Sequence, residues 1–288
     1  MKKEIPGKTD SSPIDDHPRS RPSASVVLAA GKGSRMIGYD GCKALLPLVP
    51  GKNLFEGHRP MLLHILESLP SGPAALVVHH RKNEVIKQTA GLSLTYCEQP
   101  VLNGTGGALL AARSFLEQNA EAGIVITMGD VPLVTGDAYY KLIQALENVH
   151  MAVLAFVPTD KKRYGLLEVE GNRVKRIVEW EYWHRYSEPE QAKLYLCNSG
   201  IYAVRGSTLL DYLPVLESRP HRVTKRRGEA DVIVEEFFIT DLVEYLNEGG
   251  LTVGYLHAAE EQEVMGVDDP SALQKVQELY ARRSPKIF

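Results

Sequence analysis

"VVLAAGKGSRMIGYDGCKALLPL", residues 26–48, decides how this chain is read. An unbroken apolar run ends in glycines and basic residues, and Lys43 follows before the next apolar run. A strand without polar alternation is buried on both faces, as in a parallel sheet covered by helices. Gly31 and Gly33 free the backbone to bring N–H groups near an anion, and Lys32, Arg35 and Lys43 add positive charge. A dinucleotide loop, a triphosphate loop and a plain tight turn all start this way. GxGxxG fails, because Met36 occupies the third glycine position and His79 and His80 stand where an acidic residue would follow the second strand. The GxxxxGK[ST] pattern is absent as well. An anion loop and a glycine turn with solvated basic residues both remain open on this segment alone.

Working outward, β-branched runs alternate with helical patterns: 74–80, 92–99 and 122–134 read as strands, and 60–69, 104–119 and 136–148 as helices. This alternation predicts right-handed βαβ units and a mostly parallel sheet. The second half differs. Residues 151–158 read as a strand, 164–180 as a hairpin turning at Glu170, Gly171 and Asn172, and 193–206 as strand-rich. Residues 231–250 read as one helix closed by glycine, 251–258 as a late strand, and 270–283 as a terminal helix with Pro270 at its start. The expected organisation is a disordered tail over 1–24 and a single α/β domain over 25–288. That domain divides into a nucleotide half over 25–150, a mixed-sheet half over 151–269 and a C-terminal helix over 270–288.

Composition excludes several classes. With 288 residues, 44% apolar and 24% charged, the chain has the balance of a soluble globular protein. A net charge of -3 argues against a nucleic-acid partner, and "HRVTKRRGEAD" (221–231) reads as a solvated loop. Cys42, Cys97 and Cys197 lack CxxC spacing, which suits a reducing cytosol, and Cys42 reads as a bystander thiol. No apolar stretch reaches the roughly 18–20 residues of a membrane span. The basic N-terminus has no apolar core, so it is not a secretory signal, and a cytoplasmic protein is expected.

Three further loops carry chemistry. In "EQPVLNGTGGAL" (98–109), Gly104, Thr105, Gly106 and Gly107 join a strand to a helix at the sheet edge where α/β proteins bind ligands. Gln99 offers a donor and an acceptor suited to a pyrimidine edge; a glycine-rich connector with a surface glutamine is the competing reading. In "TMGDVPLV", Asp130 interrupts an apolar run after Gly129, and a carboxylate placed there needs a partner or a metal. Magnesium takes one or two carboxylates and completes its shell with phosphate oxygens and water. Later, Glu179, Asn198 and Asp268 each set one polar side chain among apolar neighbours.

"LAAGKGSRM…KALLPL", Gln99 with "GTGGA", "GDVPL", "YG", "IVEW", "NSGIY", "EEFFITDLV" and "GVDD" occur in that order. In this the chain resembles the sugar-1-phosphate nucleotidyltransferases, most closely the uridylyltransferase domain of the GlmU type, over about residues 25–280. The resemblance implies a Rossmann-like, three-layer, GT-A-like fold with an added mixed-sheet sugar-binding subdomain. It implies that UTP and a sugar 1-phosphate, N-acetylglucosamine 1-phosphate favoured, give an NDP-sugar and pyrophosphate with Mg²⁺. CTP or another acceptor, or a catalytically silent nucleotide-sugar sensor, are the alternatives.

Carried onto matching positions, Leu28, Ala29, Ala30, Gly31, Gly33, Gln99, Gly104, Thr105 and Gly129 would hold the nucleotide. Arg35, Lys43 and Asp130 would be catalytic, Asp130 and Asp268 would bind Mg²⁺, and Gly165, Glu179 and Asn198 would hold the sugar. The chain departs from the pattern at Asp268, where asparagine is usual, at Leu166, at Met128 and in the long 36–61 segment. It also lacks the hexapeptide repeats that follow this domain in GlmU, so acetyl transfer is not expected.

Overall fold

In the computed structural model, which describes residues 22–33, 35–227 and 230–283, the opening apolar run is the strand β1 (Ser23–Leu28). A hairpin of β2 (Pro47–Asn53) and β3 (Glu56–Pro60) follows, then α1 (Met61–Ser68), β4 (Ala74–Val78), α2 (Lys82–Thr89) and β5 (Leu94–Glu98). Next come α3 (Gly104–Ala111), α4 (Arg113–Gln118), β6 (Gly123–Met128), α5 (Gly136–Ala145) and β7 (Met151–Phe156). The second half holds β8 (Leu166–Glu170), β9 (Arg173–Val178), α6 (Trp180–Trp183), α7 (Glu188–Lys193), β10 (Leu196–Arg205) and α8 (Gly206–Ser218). It closes with β11 (His221–Arg227), β12 (Ala230–Glu236), α9 (Asp241–Glu248), β13 (Val253–His257) and α10 (Pro270–Arg283).

One sheet of nine strands runs in the order β5-β4-β1-β6-β10-β7-β13-β9-β8. Strands β5, β4, β1 and β6 are mutually parallel, and β10 runs against both β6 and β7. The start of β10 also pairs with β8, so that β10, β7, β13, β9 and β8 close into a ring. The fold is α/β with a mostly parallel central sheet.

Alternate residues of β1 bury on opposite faces: Val26 packs in the cluster with α3, α4, α8 and α9, and Val27 with α1 and α2. Both are fully buried, which is why the sequence shows no polar alternation here. Among the described residues no helix is long and apolar enough to cross a membrane.

Several expectations are corrected. Strand β1 begins at Ser23, inside the expected 1–24 tail, because Ser23 Oγ donates to the Ser71 carbonyl and Ser25 N–H to the Pro73 carbonyl. Residues 1–21 and 284–288 lie outside the described residues. The single helix expected over 104–119 is two, parted at Ala112, whose N–H turns back tightly to the Leu109 carbonyl. The helix expected over 231–250 is instead β12, a short connection and α9: the β-branched Val232, Ile233 and Val234 pair with β11 across a full antiparallel register. The basic segment after His221, expected as a loop, is the other strand of that hairpin. The β2–β3 hairpin lies within the long 36–61 segment and had no expected structure.

Candidate nucleotide-binding and active site

Three strands end together: β1 at Leu28, β5 at Glu98 and β6 at Met128. Residues just beyond them line a cleft of about 350 Å³: Leu28, Ala29, Ala30, Gly31, Lys43, Gln99, Gly104, Thr105, Gly129 and Asp130. Ala44, Leu102, Ala108 and Glu236 join them without having been singled out, as does Met128, noted only as a departure from the family pattern. Glu236 was hidden because its segment read as helix. Open α/β sheets bind ligands at such carboxyl ends.

The glycines divide by role. A Cβ at Gly31 would meet no protein atom within 4 Å, so this glycine leaves space to the cleft. Gly104 has φ +93, and a Cβ there would stand 2.3 Å from the Phe237 carbonyl oxygen. The Gly106 N–H donates to that same oxygen at 2.8 Å. These two glycines admit a crossing chain, and Gly104, expected at the nucleotide, lines the cleft as well. Gly33 does not line the cleft; it holds φ +63 beneath the side chain of Lys43. Thr105 lines the cleft while its Oγ1 accepts the Ile239 N–H at 3.2 Å.

Gln99 is 2% exposed. The neighbouring His79 ring nitrogen lies 2.7 Å from the Gln99 carbonyl, which can only accept, so Nδ1 carries the proton. The Gln99 side-chain Nε2 donates to Asn103 Oδ1 at 3.0 Å and to the Gly104 carbonyl at 3.2 Å.

A charged cluster begins at Lys43 and Asp130, which line the cleft, and continues to Asp268 and Arg35, which lie outside its lining. Lys43 Nζ donates to Asp130 Oδ2 and lies 3.6 Å from Asp268 Oδ1, and the Arg35 guanidinium donates to Asp268 Oδ1 at 2.8 Å. The loops carrying the two aspartates are tied by the Val267 N–H to the Asp130 carbonyl at 2.8 Å. Lys43 and Asp130 are well covered, with 15% and 24% of their side chains exposed, whereas Arg35 is 70% exposed at the rim. Burial, with Asp268 nearby, pushes the Tyr164 phenol up to about 12, so it remains a hydroxyl donor beside this cluster.

Among the described residues no group of three or more histidine, cysteine or carboxylate side chains gathers to form a metal cage. Two carboxylates converging on one cation, the Lys43 ammonium, do match the donor set of a Mg²⁺ that completes its shell with phosphate and water. The thiols are buried, and burial raises all three, which disfavours the thiolate of Cys42.

Gly165, Glu179 and Asn198 form a second group outside the cleft lining. The Asn198 N–H donates to the Gly165 carbonyl at 2.8 Å, and a Cβ on Gly165 would sit 3.3 Å from Glu179 Oε2. Burial raises the Glu179 carboxyl above its ordinary range, and Thr240, which sequence reasoning did not single out, donates to its Oε1 at 2.9 Å. Asn198 donates from Nδ2 to the Tyr202 hydroxyl at 2.7 Å and accepts the Gly200 N–H on Oδ1. Met128 bridges the two groups: it lines the cleft and packs against Gly200.

A parallel sheet whose strand ends carry a nucleotide-sized cleft and a lysine–aspartate cluster defines a nucleotidyltransferase fold. Residues 25–218 match the MobA-like NTP transferase domain, and the chain belongs to that family. It is 30% identical over 267 residues to the bifunctional protein GlmU of Roseobacter denitrificans, covering 91% of this chain and 53% of that protein. The chain thus spans about half the length of the curated relatives it matches. The fold is shared with the uridine diphosphate N-acetylglucosamine pyrophosphorylase of Trypanosoma brucei (TM-score 0.66, 14% identity, 88% of this chain and 64% of that one). It is shared also with a nucleotidyl transferase from Methanothermobacter (TM-score 0.58, 17% identity, 91% of this chain and 99% of that one).

Proposed function

We propose that this protein joins a nucleoside triphosphate, UTP in preference, to a sugar 1-phosphate, N-acetylglucosamine 1-phosphate in preference, releasing pyrophosphate. The observation that carries the reading is one cleft lined both by the buried Gln99, just past β5, and by Lys43 with its partner Asp130, the latter just past β6 and three strands across the sheet. That is the arrangement a base and a triphosphate require.

An oxygen of the sugar phosphate attacks the α-phosphorus in line, and the bond from that phosphorus to the bridging oxygen of pyrophosphate breaks. Both reactants are anions and the attacking oxygen is already ionised, so positioning and charge compensation supply most of the catalysis. Lys43 and Arg35 hold the phosphates and offset charge that develops at phosphorus. Asp130 and Asp268 would hold Mg²⁺, which when bound offsets further phosphate charge. Glu179 accepts a sugar hydroxyl hydrogen, and Asn198 contacts the C2 substituent. With both Nε2 hydrogens used, Gln99 offers its Oε1 to the base, an acceptor that suits the N3–H of uracil and opposes the N3 lone pair of cytosine. With this reading go Mg²⁺ as cofactor, a role in nucleotide-sugar synthesis and a cytoplasmic location.

Pyrophosphate release across UTP, CTP, dTTP and GTP with a panel of sugar 1-phosphates tests this. UTP is expected to turn over fastest, and Asp130→Asn to lower kcat by about 10²-fold or more, the scale for losing one electrostatic stabiliser. Absence of turnover with every pair, despite tight binding of a UDP-sugar, would establish the silent sensor instead.

A further inference from the structure

We infer that Asn103 is a specificity-determining positioning residue: together with the Gly104 carbonyl it holds the polarity of the Gln99 amide and thereby keeps the base site an acceptor. The inference rests on the uridine reading above and adds a residue that lies outside the cleft lining.

Asn103 is the N-cap residue of α3, where an asparagine side chain ordinarily accepts an N–H from the first helical turn. Here it makes no cap hydrogen bond. The Gly106 N–H is satisfied at 2.8 Å by the Phe237 carbonyl, from a chain crossing over the helix start. Asn103 Oδ1 is thereby released, and it accepts from Gln99 Nε2 at 3.0 Å. A glycine makes room for this arrangement: a Cβ at Gly107 would fall 1.8 Å from Asn103 Oδ1.

The orientation of two facing amides is ordinarily ambiguous, since each could be turned over. The Gly104 carbonyl removes that freedom. It is an acceptor only, and it lies 3.2 Å from the same Gln99 atom, which must therefore be the NH₂ group. The second hydrogen of that group then points to Asn103, whose facing atom must be oxygen. Both donors of a buried amide are spent on the protein, and Oε1 alone is left to meet a base. A base with N–H at that edge is accepted; cytosine, turning a lone pair toward it, is rejected. Discrimination comes from the unpaired or repelled polar group, which is how buried sites separate close analogues.

The test is calorimetric binding of UDP and CDP to the full chain and to two variants. Asn103→Asp keeps an acceptor facing Nε2 and should keep the parent preference for UDP. Asn103→Ala leaves the Gly104 carbonyl as the sole partner holding the amide, so that Gln99 can turn over and present its NH₂ to the base, and the ratio of CDP to UDP dissociation constants should fall about tenfold, chiefly by tighter CDP binding. A merely loosened start of α3 would weaken both nucleotides together and could not move this ratio, and a thermal melt of each variant confirms that it is folded. An unchanged ratio in folded Asn103→Ala overturns the role of Asn103 while leaving the uridine reading in place. Equal or inverted preference in the parent overturns the uridine reading itself.

Discussion

Glu179 has the most informative environment of any single residue. Its carboxyl is buried under Thr240 and beside Gly165, and burial raises it above the ordinary 4.5. Between 4.5 and the raised value, the folded protein keeps a proton that the unfolded chain has already released. Protons bound in the native state then exceed those in the unfolded state, so stability falls as pH rises through that window. Glu179→Gln removes the titration and still accepts the Thr240 hydroxyl. Its melting temperature, relative to the parent, is expected to be higher at pH 7 than at pH 4. Calorimetry at both pH values decides, and a pH-independent difference would refute the burial account. At this scale the residue types were legible in sequence, since Gln99, Lys43, Asp130 and Glu179 are polar side chains at the ends of apolar runs. Their partners were not: Asn103 reads as a loop asparagine, and Thr240 lies 61 positions from Glu179.

Strand-to-helix junctions explain why glycine recurs without doing the same work. Gly31 faces open space, whereas Gly106 faces the Phe237 backbone, where a Cβ would stand 2.8 Å from a carbonyl carbon. Gly31→Ala is expected to leave the melting temperature within about 1 °C of the parent while weakening nucleotide binding, because the added methyl intrudes only on the ligand. Gly106→Ala should instead lower stability by about 1–3 kcal/mol, the range for forced overpacking, read from the denaturant midpoint. If both variants behaved alike, the separation of roles would fail. Elements with strong periodicity, such as β1, β4, α5 and α10, were readable from sequence because burial on a sheet face dictates their pattern. The 231–250 segment was not, since a β-branched run beside an amphipathic one carries no local mark of where strand gives way to helix.

Over the whole molecule, α10 links the last described residues to the charged cluster at the cleft. Leu273, Val276, Leu279 and Tyr280 bury against Leu46, Leu48, Met61 and Val267, and Gln277 donates to the Pro47 and Leu54 carbonyls. Val267 is also the residue whose N–H holds the Asp130 loop, and Asp268 follows it directly. Leu273→Ala should cost about 2–5 kcal/mol by leaving a cavity in this cluster. It should also lower kcat for pyrophosphate release well below the melting temperature, because the Asp268 side of the charged cluster loses its support. Normal kcat in a destabilised variant would separate the helix from the site.

The sequence by itself determined the α/β class, the buried strands and the polar and charged residue types at the strand ends, because burial and charge leave local patterns. Only the tertiary structure decided which glycines leave space to the cleft and which admit a crossing chain. It also decided that Lys43 faces two aspartates 87 and 225 positions away, and that an asparagine stands behind Gln99. Such pairings depend on distances across the fold, and a one-dimensional pattern does not carry them.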